Sequence, residues 1–569
     1  MSSSLFNKIN KGKWTKLKVL FLLVYLTFVI VFIFLTTGQT YGVNDDVLIQ
    51  SILSGKYTGK PDFILSGPAT PKILFGYLIS TLYGLVPFVN WFSILMLSLV
   101  IISWFILGLI ALKNFEIVNV LFYCVISFIY LIWYIPAPTY TASAIITTIA
   151  VFSKVIIDFD IGNLKVFLYS ILLSLALLMR PESFMLGFLC VIPILFYSFI
   201  WRGRKNLKKY FIILSIIVTV SLINFGMEKK FIDENDNWAK YAIFESLRYK
   251  IQANDIEDGL LQDPSRYNWT FSEAVLFSEY LTVDVDKFNT LRYSQLISEY
   301  KNINYENGLI QFFVEGHKKL IDSDINWAWF ELAKIIPLAF VLFLFLTWPN
   351  SYTYLFIYFS TSLLLYLAML YIAYFLRQPE RVQVSAIFAA ILIPFLIYNV
   401  LYSNEKFKLD IPLIGIIFLV FFLILVSSLK QIDYFETKYN GMKNIWSTQK
   451  SFYESFPSDS IFIGNASQFR NNWSNPYIST FEKVENQFFS LGWHNFSPYW
   501  IERATTLKLD PYNLIQSSID QKNVYWVMDD AIFKKFLNFI DMNMYEYSKF
   551  EKIKSIDLVG TSYAVWKIS

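Results

Sequence analysis

Two adjacent carboxylates, Asp45 and Asp46, are the residues of this chain best placed to carry chemistry. They follow the first long apolar stretch, where the chain would leave a lipid bilayer. A charge at that depth costs several kcal/mol unless water, a partner or a ligand compensates it. A carboxylate there can accept a proton from an attacking hydroxyl, or hold a divalent cation. The alternative is a helix N-terminus, at which the helix dipole favours acidic side chains.

Arginines form the second candidate group. Arg180 and Glu182 flank a proline between two apolar runs, and Arg377 and Arg381 flank another short turn. Ionisable side chains between apolar segments are usually paired or functional. Planar, permanently charged guanidinium groups suit phosphate, whereas ion pairs with the neighbouring glutamates are the structural alternative.

Other polar residues near these turns and in the longer loops are candidate substrate contacts: Lys72, Tyr140, Glu182, Arg248 and His494. The chain has only two His and two Cys residues. A disulfide framework, a Cys zinc site and a His-based metal site are therefore not expected. Any divalent cation, Mg²⁺ or Mn²⁺, would depend on Asp45 or Asp46.

The composition is that of a membrane protein. Of 569 residues, 55% are hydrophobic, 19% aromatic and 16% charged, and the mean hydropathy is +0.46. A soluble protein carries about 25% charged residues. The net charge of +4 is small, and no basic run alternates with aromatics, so nucleic acid is not an expected partner.

Apolar runs long enough to cross a bilayer predict an α-helical polytopic protein with about eleven transmembrane helices. The predicted spans are 18–37, 90–112, 116–135, 139–157, 165–180, 183–201, 210–226, 327–347, 352–374, 382–402 and 408–428. The first is interpreted as a permanent span, because no small-residue cleavage site follows it. The run 72–86 is interpreted as an interfacial helix. The alternative, a short twelfth span, would invert everything downstream.

Basic residues in the short loops predict the orientation. The lysines of the N-terminal tail fall on the same side as the basic loop after residue 201 and as Lys113 and Lys406. This side is predicted to be cytoplasmic. The larger loops 38–71 and 227–326 and the C-terminal part of the chain would then lie outside.

Two domains follow from these patterns. Residues 1–428 form the predicted transmembrane domain, and residues 429–569 a predicted extracytoplasmic α/β domain. Within the second, the residue types predict strands and helices in turn, at 460–464, 511–521, 524–528, 530–544 and 562–566.

The chain resembles the GT-C superfamily of integral membrane glycosyltransferases. More narrowly, it resembles bacterial glucosyltransferase-like membrane proteins of cell-surface polysaccharide pathways. The segments that carry the resemblance are 44–46, 82–91, 138–141, 179–183, 269–273 and 377–381. The resemblance spans most of the chain in architecture, and the acidic first outer loop is its diagnostic motif.

The resemblance implies a sugar donor carried on a polyprenyl phosphate or diphosphate, and a cell-surface glycan or glycopolymer as acceptor. It implies that Asp45 or Asp46 acts as base or metal ligand. Donor phosphate would be bound by arginines at the outer ends of later spans, here Arg180, Arg377 and Arg381. The location implied is the outer face of a bacterial plasma membrane. The chain has no second strong acidic motif, so a metal requirement stays open.

Three other function classes stay open. One is a non-catalytic assembly partner, which would tolerate the loss of Asp45 and Asp46. A flippase or transporter of lipid-linked glycans would carry charges near span centres and repeats of broken helices. A glycan polymerase or ligase would share this architecture. The charges here cluster at the outer ends of the predicted spans, and two large pieces lie outside, which favours an enzyme over a transporter.

Overall fold

A computed structural model describes residues 2–42, 44–63, 71–113, 117–158, 162–201, 207–253, 256–304, 352–375, 380–401, 411–465, 476–477, 487–492, 494–542, 549–558 and 561–568. Arg377 and the predicted span 327–347 lie outside these residues. The predicted count of eleven spans therefore stays a prediction.

The first part of the described chain is helical throughout. Its helices are α1 (Ser2–Thr36), α2 (Asn44–Leu53), α3 (Ile73–Leu85), α4 (Trp91–Ala111), α5 (Ile117–Tyr134), α6 (Tyr140–Ile157), α7 (Asn163–Met179), α8 (Pro181–Trp201) and α9 (Leu207–Glu234). Among the described residues, five helices are long and apolar enough to cross a membrane. They lie within α1, α4, α6, α8 and α9, and shorter apolar helices accompany them.

Helix α6 is the centre of this bundle, because every one of its side chains is buried. It packs against α4, α7 and α8. Small and hydroxylated residues let neighbouring helices approach closely in a bundle of apolar helices. Two hydroxyl groups of α6 also form hydrogen bonds with neighbouring helices. Thr147 accepts from Ser103 of α4, and the Ser143 hydroxyl lies 2.6 Å from that of Tyr134 in α5.

The helix ends sort into two groups. On the side of the acid pair, the backbone N–H of Thr40 donates to Pro136, and that of Lys72 donates to Leu178. On the other side, the Lys18 ammonium donates to the carbonyl of Lys113. This grouping agrees with the alternation of the predicted spans, although it does not fix which side faces the cytoplasm.

Helix α3 corresponds to the run predicted to be interfacial. It has 13 residues, which is about 20 Å of helix, shorter than the roughly 30 Å hydrocarbon core. It packs against α2, α4, α7 and α9. Its position relative to a membrane surface stays a prediction.

A second set of helices follows α9: α10 (Asp236–Ala253), α11 (Ile256–Gln262), α12 (Phe271–Ser278) and α13 (Thr290–Asn304). A 3-10 turn at Pro264–Tyr267 precedes α12. Helix α12 begins with a capping box, in which Thr270 and Glu273 satisfy each other's backbone N–H groups. After the gap come the apolar helices α14 (Tyr352–Phe375) and α15 (Glu380–Leu401), and the long α16 (Ile411–Glu454).

Among the described residues, the last part of the chain contains a five-stranded sheet. The strands are β1 (Ile461–Asn465), β2 (Gln487–Leu491), β3 (Val524–Asp529), β4 (Phe550–Leu558) and β5 (Thr561–Ile568), in the order β2-β1-β3-β5-β4. Pairs β1–β2 and β1–β3 are parallel, and pairs β3–β5 and β4–β5 are antiparallel. Helices α17 (Pro498–Thr506), α18 (Leu514–Asp520) and α19 (Asp530–Met542) pack with it.

One apolar core joins these parts. It runs from Ile49 of α2 and Phe75 of α3, through Phe244 of α10, to Trp500 of α17 and Trp526 of β3. Helix α2, which carries the acid pair, is therefore held between the membrane helices and the sheet.

Candidate functional site

The acid pair lies in the first turn of α2, where the positive end of the helix dipole favours carboxylates. The chain entering α2 is tied to the turn between α5 and α6, since the backbone N–H of Gly42 donates to Pro138. A Cβ at Gly42 would lie 2.6 Å from a methyl carbon of Thr139 and 2.9 Å from the carbonyl oxygen of Ala137. Glycine is therefore required for this close approach.

The two carboxylates differ sharply in environment. Asp46 is fully buried, and among the described residues neither of its carboxylate oxygens has a hydrogen-bond partner. The Asp45 side chain is 43% exposed, and its Oδ2 lies 3.6 Å from Nη2 of Arg381. Asp45 thus forms a loose, partly solvated ion pair, whereas Asp46 faces the interior with its acceptors unused.

Burial raises the pKa of the Asp46 carboxyl well above its ordinary value. The positive charge of Arg381 opposes this shift, the negative charge of Asp45 adds to it, and the charge of Arg180 opposes it more weakly. Both arginines therefore lie within electrostatic reach of Asp46. A buried carboxylate with a raised pKa is a stronger proton acceptor than one in water.

Arg180 ends α7, and Pro181 begins α8. Its side chain is buried, and Nη1 donates to the hydroxyls of Tyr140 and Thr141, each at 2.9 Å. The guanidinium also lies over the Tyr140 ring, 5.0 Å from the centroid. The described contacts are neutral, and Nε of Arg180 has no partner among the described residues.

Arg381 is the second residue of α15. Its side chain is only 12% exposed. Nη2 makes the long contact with Asp45, and Nε has no partner among the described residues. Two guanidinium groups with unused donors therefore flank a carboxylate with unused acceptors. Arg377, which was predicted beside Arg381, lies outside the described residues.

The remaining predicted contacts divide into two groups. Lys72 caps α3 and its backbone is bonded to Leu178, two residues from Arg180. Glu182 is exposed in the first turn of α8. Tyr140 contacts Arg180 directly, and Glu182 lies within electrostatic reach of it. Arg248 in α10 and His494 in the loop before α17 make their described hydrogen bonds with other residues.

Arg248 is buried and engaged on all sides. Nε and Nη2 donate to the two oxygens of Glu245 at 2.8 and 2.7 Å, and Nη1 donates to Gln252. Its guanidinium lies over the Tyr280 ring. The charge of Arg248 is thus neutralised and hydrogen-bonded within the protein, which leaves it little to offer a substrate. Its role as a substrate contact stays a prediction.

His494 is fully buried, in contact with the loop that follows α2. Its Nε2 lies 3.0 Å from the Tyr57 hydroxyl and 3.4 Å from that of Ser490. Burial, with a smaller contribution from the positive charge of Arg248, lowers the pKa of His494 to about 3. The ring is therefore neutral at ordinary pH.

Sequence patterns did not single out two neighbours of the acid pair. Glu245 lies close enough to Asp45 for their charges to interact. Burial raises the pKa of Tyr249, the negative charge of Glu182 raises it further, and the positive charge of Arg180 opposes the shift. Tyr249 therefore lies within electrostatic reach of both residues. The middle segment carrying Tyr249 could be recognised as aromatic, but no local signal pointed to this site.

Among the described residues, no group of three or more His, Cys, Asp or Glu side chains could hold a metal ion. Asp45 and Asp46 offer oxygen ligands of the type that Mg²⁺ and Mn²⁺ prefer. Two carboxylates, one of them engaged by Arg381, do not complete a metal site by themselves. A divalent cation at this site stays a prediction.

No protein-family model and no curated protein matches this chain. A solved structure that it matches is the archaeal oligosaccharyltransferase AglB from Archaeoglobus fulgidus, in complex with an inhibitory peptide and a dolichol-phosphate. The identity is 10%, the match covers 90% of this chain and 69% of that chain, and the TM-score is 0.35. A likeness this distant carries no argument about activity.

Proposed function

We propose that this protein is a membrane glycosyltransferase that moves a sugar from a polyprenyl-phosphate-linked donor to a cell-surface glycan or glycopolymer. The observation that carries the proposal is the buried Asp46 carboxylate, whose oxygens have no partner among the described residues, with Arg180 and Arg381 within electrostatic reach. A carboxylate in such surroundings is costly unless a ligand uses it.

Asp46 acts as the general base. The acceptor hydroxyl gives its proton to Asp46 while its oxygen forms a bond to the anomeric carbon of the sugar. The bond from that carbon to the phosphate oxygen breaks, and its electron pair stays on the phosphate. The polyprenyl phosphate leaves with one more negative charge than it had in the donor.

Arg180 and Arg381 stabilise that leaving phosphate. Their Nε groups have no partner among the described residues, and a phosphate oxygen can accept from both. The charge on the phosphate grows as the bond breaks, so these donors act more strongly in the transition state than in the donor complex. The loose contact between Arg381 and Asp45 is weak enough for a phosphate to replace.

The site belongs to the outer face of a bacterial plasma membrane in this proposal. Lys18 and Lys113 lie together at the helix ends opposite to the site. Basic residues are enriched on the cytoplasmic side of membrane proteins, which supports a cytoplasmic location for these helix ends. A lipid-borne donor would reach Asp46 from the bilayer, and the acceptor would arrive from the aqueous side.

The test is sugar transfer by the purified protein from a panel of polyprenyl-phosphate sugars. Asp46→Asn keeps the size of the side chain but removes its basicity, so we expect kcat to fall about 10²–10⁴-fold. Asp233→Asn makes the same change at an exposed acid near the end of α9, and should leave transfer unchanged.

Full transfer by Asp46→Asn would remove the proposed base. If wild-type protein uses no donor, the transferase proposal fails, and translocation of lipid-linked glycan in vesicles would test the flippase alternative. Repeated transfer onto its own product, giving chains of increasing length, would identify a polymerase instead.

A further inference from the structure

The loop that follows α2 is locked to the C-terminal part of the chain through His494. Nε2 of His494 lies 3.0 Å from the Tyr57 hydroxyl. The Tyr57 ring meets the His494 ring edge to face, with centroids 5.5 Å apart, and meets Tyr499 in the same way at 6.0 Å. Tyr499 in turn stacks along the His494 ring. The bond therefore lies inside an aromatic enclosure.

Tyr57 is rigidly connected to α2. Its backbone N–H donates to Ser51, within the helix, and the N–H of Asp62 donates to Ile52. Gly55 has φ +78°, and a Cβ there would lie 2.5 Å from Lys60 and Pro61 backbone atoms. The loop thus folds tightly back on the last turn of α2, so that displacing Tyr57 displaces the helix.

At the opposite end of α2, backbone bonds of Thr40 and Gly42 hold the incoming chain, but the acidic side chains of the first turn add no strong bond among the described residues. Asp46 has no hydrogen-bond partner among the described residues, and the contact of Asp45 with Arg381 is 3.6 Å long. Apolar side chains such as Ile49 and Ile52 bury the helix, but apolar packing is non-directional. A hydrogen bond is directional, so the Tyr57–His494 bond constrains the rotation and depth of α2 more closely than its apolar face does.

The His494 loop has its own anchors. The Asn495 side chain donates to the Tyr280 carbonyl and to the Thr282 hydroxyl, both at 2.9 Å, and its oxygen accepts from the backbone of Gly492. These bonds tie the loop to the segment after α12. His494 is therefore a fixed point against which the first outer loop is held.

We infer that His494 is a positioning residue, which through Tyr57 holds α2 so that Asp46 faces Arg180 and Arg381. The inference rests on the proposed function for the role of Asp46. It differs from the predicted role of His494 as a substrate contact, because its ring is buried against Tyr57.

The first test uses hydrogen exchange of peptides that cover α2 and residues 54–62, and needs no catalytic activity. Tyr57→Phe removes only the hydroxyl and keeps the ring. We expect about tenfold faster exchange there, with exchange of β3 unchanged. Lys60→Met is the matched control, because it removes the exposed ion pair of Lys60 with Glu502 between the same two parts of the chain. Exchange in Tyr57→Phe equal to that in wild type would overturn the inference.

The second test separates positioning from general stability. Tyr57→Phe and His494→Leu should each lower kcat about tenfold, with KM for the donor unchanged, because misplacing a catalytic group by a fraction of an ångström is costly. The double variant should be no worse than either single variant. His494→Gln keeps a polar partner for Tyr57 and should recover part of the rate. Additive losses, or an equal loss in Lys60→Met, would overturn the inference.

The two tests also keep the inference apart from the proposed function. If wild-type protein shows no transfer, the proposed function fails, and the exchange measurement still decides whether His494 holds α2.

Discussion

Two buried arginine–carboxylate groups lie within electrostatic reach of each other and differ in how far they are satisfied. In the first, Arg248 and Glu245 share two short hydrogen bonds, and Gln252 takes a third. In the second, Asp46 has no partner among the described residues, and the side chain of Arg180 donates only to neutral hydroxyls. The composition of the two groups is alike, and only the bonding differs.

The difference separates a group whose bonds are completed within the protein from one that a ligand could complete. A buried charge that has all its bonds holds the chain together and has nothing left to offer a ligand. A buried charge without its bonds destabilises the fold unless something arrives to use it. Burial and residue type alone would rank Arg248 and Arg180 equally as site residues, and the hydrogen bonds distinguish them.

The largest expected effect comes from changing an acid to its amide in each group. Glu245→Gln leaves the Arg248 charge buried without its counter-charge, which should cost about 3–5 kcal/mol and lower the thermal unfolding midpoint. Asp46→Asn removes a buried carboxylate that has no bond to lose, so the midpoint should stay the same or rise. Thermal unfolding of both purified variants measures this contrast. Equal losses of stability in the two variants would show that the Arg248–Glu245 group and the group around Asp46 do not differ in how far they are satisfied.

A smaller effect follows from the buried His494. Its pKa is lowered to about 3 in the folded protein, against about 6.5 when unfolded. Between these values the unfolded chain binds one more proton, so stability rises with pH. The contribution is complete above pH 6.5 and falls by about 1.4 kcal/mol per unit below it, or roughly 2 kcal/mol by pH 5.

Thermal midpoints of wild type and His494→Gln at several pH values between 7 and 5 measure this effect. The variant has no imidazole to titrate, so its midpoint should fall less steeply on acidification. Parallel curves for the two proteins would show that His494 is not buried against Tyr57 as described.

Local chemistry was enough to predict several features of both groups. The Arg180–Pro181–Glu182 break was predicted as a turn between two apolar helices. Helix α7 ends at Met179 and α8 begins at Pro181. Proline suits the first position of a helix and disfavours helical backbone in the residue before it. The acid pair likewise lies in the first turn of α2, where the dipole favours it.

Long-range contacts were beyond prediction from the sequence. Neighbouring residues on a helix point about 100° apart, so one of Asp45 and Asp46 had to be more buried, but which one depends on distant helices such as α15. The pairing of Tyr57 with His494 joins residues more than four hundred positions apart. No spacing in the sequence marks it.

The sheet shows the same limit. The segments predicted as strands correspond to β1, β3 and β5, which occupy the interior of the sheet. The strands that the pattern missed, β2 and β4, are its two edges. Edge strands carry charges and short apolar runs that discourage pairing with other chains, and β4 has Glu551, Lys552 and Lys554. Their periodicity is therefore weak.

A still smaller effect is expected when Arg180, in the group around Asp46, is exchanged for lysine. Arg180→Lys keeps the charge but loses the planar fork that can bind a phosphate at two points. Binding of polyprenyl phosphate to the purified protein should weaken about tenfold, or by about 1.4 kcal/mol. Arg266→Lys makes the same exchange at an exposed arginine and should leave binding unchanged. Unchanged binding in Arg180→Lys would remove this arginine from the donor site.

The smallest effect is expected from Asp45→Asn. The Asp45 side chain is 43% exposed and lies 3.6 Å from Arg381, and exposed ion pairs of this kind contribute less than about 1 kcal/mol. The transfer rate should therefore stay within about fivefold of wild type, far above that of Asp46→Asn. A loss as large as that of Asp46→Asn would mean that the two carboxylates act as one unit, sharing a proton or a cation. Burial would then no longer identify the base, and Asp45 would belong with Asp46 to the group that carries the reaction.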